Sequence, residues 1–249
     1  MESLYILKED WKNLIILDAC RYDMFKELNN IPGTLEIRRT ISDHTSGFVN
    51  SNFKDYKGSR QDIYYINANP AASYWKYIDG TDLWKSNYAT KNKFGVVLPG
   101  FMCTYIRTKD LPGCKHIIHF LQPHYPLIYE PDDSDLLPKP NMYSYDYLDA
   151  WKHGEASGWN NIIAGYKKNL SGVLNEVMKL LPFLHNGRTI ITADHGELLG
   201  EHGCYGHGDW KIDIREDYNE IWEVPWFVVD RDGSNQILKQ LEALGYVNQ

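Results

Sequence analysis

Two short apolar runs, each ending in a carboxylate, constrain the fold of this chain more than any other feature. Residues 14–17 read Leu-Ile-Ile-Leu and precede Asp18, and residues 190–193 read Ile-Ile-Thr-Ala and precede Asp194 and His195. Runs of this length and composition are typical of strands buried on both faces of a parallel sheet. Because the carboxyl ends of parallel strands meet at one edge, we expect both carboxylates in a single crevice.

Further apolar segments predict strands that alternate with helices. The predicted strands are 13–18, 62–66, 94–98, 116–121, 189–193 and 224–229, and the predicted helices are 23–28, 46–53, 159–184 and 237–244. Pro225 suggests that the last strand begins at a sheet edge or a bulge. The alternation favours an α/β fold, a three-layer sandwich with a largely parallel central sheet and helices on both faces.

Length and composition favour a single domain. The chain has 249 residues, which suits one large α/β domain, and no linker rich in Pro, Gly or Ser divides it. We therefore expect one domain over residues 1–249 with a loop-rich insertion at about 126–156. A loop of this length inside a domain is usually functional, so we expect it to contribute to selectivity.

The overall charge and the ends of the chain exclude several classes of protein. A net charge of −7 and a pI near 5.7 argue against a general nucleic-acid binder. The four cysteines form no C-x-x-C pair, which argues against a structural zinc site. The first residues lack the pattern of a signal peptide, and no apolar run approaches the roughly 18 residues of a membrane span. We expect a soluble, cytoplasmic protein without a signal peptide or a transmembrane segment.

The residue types at the two strand ends suit a divalent metal ion. Aspartate supplies a hard oxygen ligand, and the imidazole of His195 supplies a borderline nitrogen ligand. Asp18 alone would also fit a strand-end residue that caps the following turn. Taken together, Asp18, Asp194 and His195 predict a metal site that admits zinc, manganese, magnesium or calcium.

Four segments resemble motifs of the alkaline phosphatase/sulfatase superfamily. They are LIILDACRYDMF, QPHYP, ITADHGELLGEHG and YGHG. The spacing between Asp-His-Gly-Glu and Tyr-Gly-His-Gly is similar to that in the catalytic domains of phosphoethanolamine and lipoteichoic-acid transferases. The resemblance covers about residues 13–230, and it implies a sulfatase-like, alkaline phosphatase-like catalytic domain that acts on ester bonds.

The resemblance also implies the metal ligands, which are Asp18, Asp194, His195 and the nucleophile. In the family the nucleophile lies at a helix N-terminus, and Thr45 matches this position best, with Ser42 and Ser46 as alternatives. A hydroxyl bound to a divalent cation loses its proton more readily, and a helix N-terminus binds an anionic ester. The same residue without chemistry would be an ordinary helix cap.

Four further residues receive roles around this site. The resemblance implies that His124 contacts the ester oxygens or protonates the leaving group, and that His207 binds substrate or a second metal ion. Glu197 is expected to orient His195 or the metal. Arg21 would neutralise a substrate oxygen, and pairing with Asp23 is the alternative.

One departure from the family bears on the substrate. The C/S-x-P-x-R motif that supplies the formylglycine nucleophile of ordinary sulfatases is absent. We therefore predict a metal-dependent phosphoesterase, a hydrolase of phosphate mono- or diesters with a metal-bound threonine nucleophile. The alternatives are a transferase that moves a phosphoryl substituent onto a glycan or lipid, a sulfate-ester hydrolase, and a non-enzymatic binding protein. We expect one divalent ion, and a second could enter through His124 and His207.

Overall fold

The computed structural model describes residues 1–87, 90–129, 156–207 and 215–233, together with residues 236, 239 and 243. For residues 156–161 it describes the backbone only. Most of the predicted insertion at 126–156 and of the predicted helix at 237–244 therefore lies outside the described residues. In the described part of the chain, no helix has both the length and the apolar character that crossing a membrane requires.

A seven-stranded sheet forms the centre of the molecule. Its strands lie in the order β2-β9-β6-β1-β5-β3-β4. The ranges are β1 Asn13–Leu17, β2 Gly33–Arg39, β3 Ile63–Asn67, β4 Asp79–Asp82, β5 Lys115–Phe120, β6 Thr189–Thr192 and β9 Glu223–Val229, and the hairpin strands β7 Leu198–Leu199 and β8 Tyr205–Gly206 form a separate pair. The strands from β6 to β4 are parallel, whereas β9 is antiparallel to both of its neighbours.

Helices accompany this sheet along the chain. They are α1 Tyr22–Leu28, α2 Thr45–Phe53, α3 Pro99–Thr108, α4 Ala156–Leu180 and α5 Asn219–Trp222. Helix α4 packs against α1 and α3, whereas α2 packs against the short 3-10 helices Ile6–Lys8 and Tyr74–Lys76. The prediction of an α/β sandwich with a mostly parallel sheet is confirmed.

Burial explains why β1 and β6 occupy the middle of the sheet. Every residue of both strands is buried, because each strand has a hydrogen-bonded neighbour on both sides and packed side chains above and below. Helix α4 covers part of this core with an apolar stripe that includes Leu170, Val173 and Val177. Such central strands place their carboxyl ends in fixed positions, and this matters for the site below.

Several predicted elements need correction. Residues 94–98 form no strand, because the chain turns at Gly95, which has a φ of 69°, and Phe94 and Val96 pack with Leu121 in a small separate cluster. Strands β2 and β4 and helix α3 were not predicted. Strand β9 is not at an edge, although Pro225 lies just beyond the last residue pair between β9 and β6.

Candidate active site

The carboxyl ends of four adjacent parallel strands bring polar side chains together. Asp18 follows β1, Asp194 follows β6 after a single alanine, and Asn69 follows β3. His119 is the penultimate residue of β5. We call Asp18, His119, Asp194 and His195 the strand-end group. All four side chains are almost completely buried.

The backbone fixes the Asp194 carboxylate in one orientation. Its Oδ1 accepts hydrogen bonds from the amides of Ala19, at 3.2 Å, and of His195, at 3.0 Å. Its Oδ2 is buried and has no hydrogen-bond partner among the described residues, and the same holds for Oδ1 of Asp18. Two buried, unpaired carboxylate oxygens are costly unless a cation binds between them.

His195 directs a free nitrogen to the same point. Its Nδ1 lies 2.9 Å from the carbonyl oxygen of Gly196, so Nδ1 carries the hydrogen and Nε2 keeps its lone pair. Nε2 lies 3.4 Å from Asp18 Oδ1, from Asp194 Oδ2 and from Thr45 Oγ1. Tetrahedral ligands held about 2.1 Å from zinc are about 3.4 Å apart, so the spacing of these atoms fits a metal ion.

Thr45 is the hydroxyl residue that the fold brings to this group. It is the first residue of α2, its side chain is buried, and its Oγ1 accepts a hydrogen bond of 3.1 Å from Asn69 Nδ2. The same Asn69 amide donates to Asp18 Oδ2. By contrast, the Ser42 hydroxyl donates to the backbone oxygen of His44, and Ser46 is exposed.

The electrostatics of the strand-end group favour a bound cation. Burial raises the pKa of Asp18 well above its usual range, and the carboxylates of Asp194 and Glu197 raise it further. Burial lowers the pKa of His195 to about 4, so its imidazole is neutral at pH 7. A divalent ion would relieve the carboxylate repulsion, and neutral imidazole is the form that binds metal.

A second set of polar residues lies beside the first on loops. We call His124, Glu197 and His207 the loop group. His207 Nδ1 lies 3.0 Å from Glu197 Oε1, and His124 Nε2 lies 3.9 Å from Glu197 Oε2. The rings of His207 and His195 are only 4.0 Å apart between centroids, so the two groups share one site.

The pKa values of the two histidines of the loop group shift in opposite directions. Burial lowers the pKa of His124, which favours its neutral form. Burial also opposes charge on His207, but the Glu197 carboxylate outweighs it and raises the pKa of His207. In its protonated form, His207 can donate a proton or neutralise an anionic substrate oxygen beside the strand-end group.

Two residues with expected roles make contacts with other protein groups. The Glu197 carboxylate holds His207, while His195 Nδ1 meets the Gly196 carbonyl, so the expected role of Glu197 in orienting His195 or the metal stays a prediction. Arg21 is buried and bound to Asp23 and Glu201 at 2.7 and 2.6 Å. The Asp23 alternative is therefore formed, and a substrate contact by Arg21 stays a prediction.

Three residues of the site were not predicted from the sequence. His119 Nε2 is buried and has no hydrogen-bond partner within the described parts of the chain, and it lies 3.7 Å from Asp194 Oδ2, while its Nδ1 lies 2.7 Å from the Tyr65 hydroxyl. Its ligand atom lies within 4.8 Å of those of Asp18 and Asp194. The signal for Asn69 was present, because it follows β3 as Asp18 follows β1. Tyr65 had no signal, since an aromatic residue on a buried strand looks like core.

Comparisons with solved structures identify the fold. The soluble domain of lipooligosaccharide phosphoethanolamine transferase A from Neisseria meningitidis matches with a TM-score of 0.55 at 14% identity, over 86% of this chain and 75% of that one. The periplasmic domain of phosphoethanolamine transferase EptC from Campylobacter jejuni matches with a TM-score of 0.53 at 14% identity, over 93% and 83%. The phosphonate monoester hydrolase of Agrobacterium radiobacter matches with a TM-score of 0.52 at 14% identity, over 88% and 67%.

The chain has the alkaline phosphatase-like fold. These structural neighbours are phosphoethanolamine transferase domains and a phosphonate monoester hydrolase, and the expected resemblance is confirmed at the level of the fold. No protein-family model matches the sequence, and no curated protein sequence matches it either. At 14% identity these similarities show the fold alone. The reaction must therefore be inferred from this chain's own site.

Proposed function

We propose that this protein hydrolyses phosphate esters in a divalent-metal-dependent reaction with Thr45 as the nucleophile. One observation carries the proposal: the buried Thr45 hydroxyl at the start of α2 lies 3.4 Å from His195 Nε2, beside two carboxylates with unpaired oxygens. A hydroxyl at this position faces both a cation site and the free amides of a helix N-terminus. Both features stabilise an anionic ester.

The residues present fit a divalent ion. Asp18, Thr45, Asp194 and His195 would hold it, and His119 adds a further nitrogen. The ion, when bound, lowers the pKa of the hydroxyl beside it and stabilises negative charge on phosphoryl oxygens. Oxygen and imidazole ligands suit zinc and manganese, and they also admit magnesium or calcium.

The reaction proceeds in two displacements at phosphorus. Thr45 Oγ1 loses its proton to solvent and attacks phosphorus, and the bond from phosphorus to the leaving alcohol breaks. The product is a phosphothreonine ester. Water then attacks the same phosphorus, the bond to Thr45 breaks, and the hydroxyl is regenerated. Two in-line displacements give net retention at phosphorus, which a chiral phosphate substrate would reveal.

The loop group, which lies beside the strand-end group, supports these steps. His207, whose pKa Glu197 raises, donates a proton to the leaving oxygen and, once neutral, accepts one from the attacking water. His124, whose pKa is lowered, offers a neutral imidazole to the ester oxygens. Asn69 keeps the Thr45 hydroxyl and Asp18 in register through its two hydrogen bonds.

A transferase is the second candidate function. The similarity to phosphoethanolamine transferase domains favours it, because the same phosphothreonine ester could pass its phosphoryl substituent to an acceptor alcohol on a glycan or lipid. The missing C/S-x-P-x-R motif disfavours sulfate-ester hydrolysis. The acceptor distinguishes the first two functions, since water completes hydrolysis and an added alcohol completes transfer.

The test is turnover of a panel of nitrophenyl esters, namely phosphate, phosphodiester, phosphonate and sulfate. Metal-stripped protein would be assayed after each divalent ion is added back. We expect phosphoester turnover that depends on metal and falls at least about 10³-fold in Thr45→Ala. Thr45→Ser should keep part of the activity, because it retains a hydroxyl.

Ser46→Ala is the matched control, since it removes the neighbouring exposed hydroxyl and should leave turnover unchanged. Full activity in Thr45→Ala would exclude the proposed nucleophile. Turnover that appears only when an acceptor alcohol is supplied would favour the transferase.

A further inference from the structure

A buried amide in the middle of α4 holds the chain segment that carries His124. The Asn169 side chain is fully buried. Its Oδ1 accepts from the amides of Ile128, at 2.8 Å, and Tyr129, at 3.3 Å. Its Nδ2 donates to three carbonyl oxygens, those of Pro123 at 3.2 Å, His124 at 3.4 Å and Pro126 at 3.0 Å. One side chain therefore satisfies five backbone groups of a segment with no regular secondary structure.

Two glycines on the same face of α4 let this segment lie close to the helix. Gly165 and Gly172 lie four residues before and three residues after Asn169, so all three face one side. A Cβ at Gly165 would overlap the Leu127 side chain, and a Cβ at Gly172 would overlap the Tyr129 ring. We call Gly165, Asn169 and Gly172 the α4 saddle.

The segment is anchored on its other side to the strand-end group. The His124 amide donates a 3.2 Å hydrogen bond to the carbonyl oxygen of Asp18. His124 Nδ1 lies 2.8 Å from the Tyr125 carbonyl, which leaves Nε2 directed towards Glu197. The position of the His124 imidazole therefore depends on two anchors, the turn after β1 and the α4 saddle.

We infer that Asn169 is a positioning residue for His124 and that it acts through the backbone of residues 123–129. Asn169, which alone among the saddle residues has a side chain beyond Cα, is fully buried and bonded to the backbone of residues 123–129, so its effect on catalysis passes through the segment that carries His124. The inference rests on the proposed function, because it concerns the role of His124 in ester turnover. Displacing a group that contacts the substrate by about 1 Å can lower the rate about 100-fold.

A double-mutant cycle on kcat tests this inference. We expect Asn169→Ala to lower kcat about 10- to 100-fold with the metal affinity unchanged, because the strand-end group is untouched. In a His124→Ala background, the same change should lower kcat less than about threefold, since the residue it positions is gone. Equal losses in both backgrounds would overturn the inference and leave Asn169 with a structural role.

Backbone hydrogen exchange gives a second readout that needs no activity. The amides of Ile128 and Tyr129 donate to Asn169, so they should exchange faster in Asn169→Ala. Asn175→Ala, on an exposed position of the same helix, is the matched control and should change neither exchange nor kcat. Unchanged exchange in Asn169→Ala would contradict the saddle even if the wild-type protein proves to hydrolyse no ester.

Asn169→Asp covers the case in which the alanine variant does not fold. It keeps the volume and the acceptor oxygen but loses the N–H donors that face three carbonyl oxygens. We expect the same loss of kcat in the folded protein, again suppressed in the His124→Ala background. Losses that persist in that background would overturn the inference here too.

Discussion

The strand-end group and the loop group lie side by side, but different forces hold them. Asp194 and His195 follow a central strand, and backbone amides or carbonyls fix both side chains. Glu197 and His207 belong to the β7–β8 hairpin region and are held mainly by each other, through one contact of 3.0 Å. The first group has the rigidity that a metal site needs, and the second has the accessibility that a changing substrate needs.

The two groups also differ in their electrostatics. The carboxylates around Asp18 repel one another in the absence of a cation, whereas Glu197 and His207 attract each other. We therefore expect changes in the strand-end group to be read out as metal binding, and changes in the loop group as turnover at unchanged metal binding. Three sets of variants test this division.

His207→Gln should produce the largest effect among these changes. Loss of its proton transfer is expected to lower kcat about 10²- to 10³-fold, while the metal affinity of the strand-end group stays the same. Activity that depends on cationic His207 falls as pH rises through its raised pKa, so the alkaline limb of the wild-type pH–rate profile should vanish in the variant. Steady-state kinetics across pH and metal titration by calorimetry measure both.

His202→Gln is the control for this change, because His202 lies in the same hairpin region but stacks on Tyr218, with ring centroids 3.9 Å apart. It should leave the profile intact. Loss of tightly bound metal in His207→Gln would erase the division between the two groups.

The centre of the fold was predictable because the central strands have short apolar segments that are recognisable in the sequence. Strands β1, β5 and β6 each have a buried Ile-Ile pair at their centre, and the residues of the strand-end group lie at or just after their ends. Strand β4 escaped prediction because it is polar and only partly buried. Strand β2 is also only partly buried, and its alternation is short, with only Leu35 and Ile37 as apolar residues. The apolar stretch at 94–98 wrongly predicted a strand, because Phe94, Val96 and Leu98 pack in a small cluster separate from the main core, which only Val97 joins.

Site residues were predictable where a residue type that can bind metal follows an apolar strand. Asp18, Asp194 and His195 follow strands, and the structure brings all three together with Thr45. His119 and His116 are three residues apart on β5, a spacing that places them on opposite faces of the sheet and marks neither as a metal ligand. In the structure, His116 contacts the Pro112 carbonyl and the His185 ring. Which face His119 takes depends on the sheet's neighbours, and the local sequence does not contain that information.

His119→Gln tests whether this missed residue binds the metal. If His119 Nε2 is a ligand, the dissociation constant for the metal should rise about 10- to 100-fold, a loss comparable to that of other residues that support a metal site. Activity should recover at high metal concentration, because Thr45 and the remaining ligands persist. His116→Gln, on the same strand but away from the site, should change neither quantity. Reduced activity at unchanged metal affinity would instead make His119 a residue that orients Asp194.

Asp18→Asn has the smallest expected effect. It should stabilise the metal-free protein, although it weakens metal binding. Burial raises the pKa of Asp18, so the folded protein without metal binds more protons than the unfolded chain at pH values between the usual and the raised pKa. Stability is therefore lost as pH rises through that interval. Asp18→Asn removes this loss and should stabilise the metal-free protein at pH 7 by about 1–2 kcal/mol, on the order of 2–8 °C in Tm.

The same variant should gain little from added metal, whereas the wild-type protein gains stability as the ion binds the folded state. The order of the two melting temperatures should therefore reverse when metal is added. Asp18→Asn melts higher without metal, and the wild-type protein melts higher with it. Below about pH 3, about one unit under the usual pKa of aspartate, Asp18 is protonated in both states and the difference without metal should disappear. A metal-free variant that melts below the wild-type protein at pH 7 would mean that the Asn69–Asp18 hydrogen bond outweighs carboxylate repulsion, and that the strand-end group is stable without a cation.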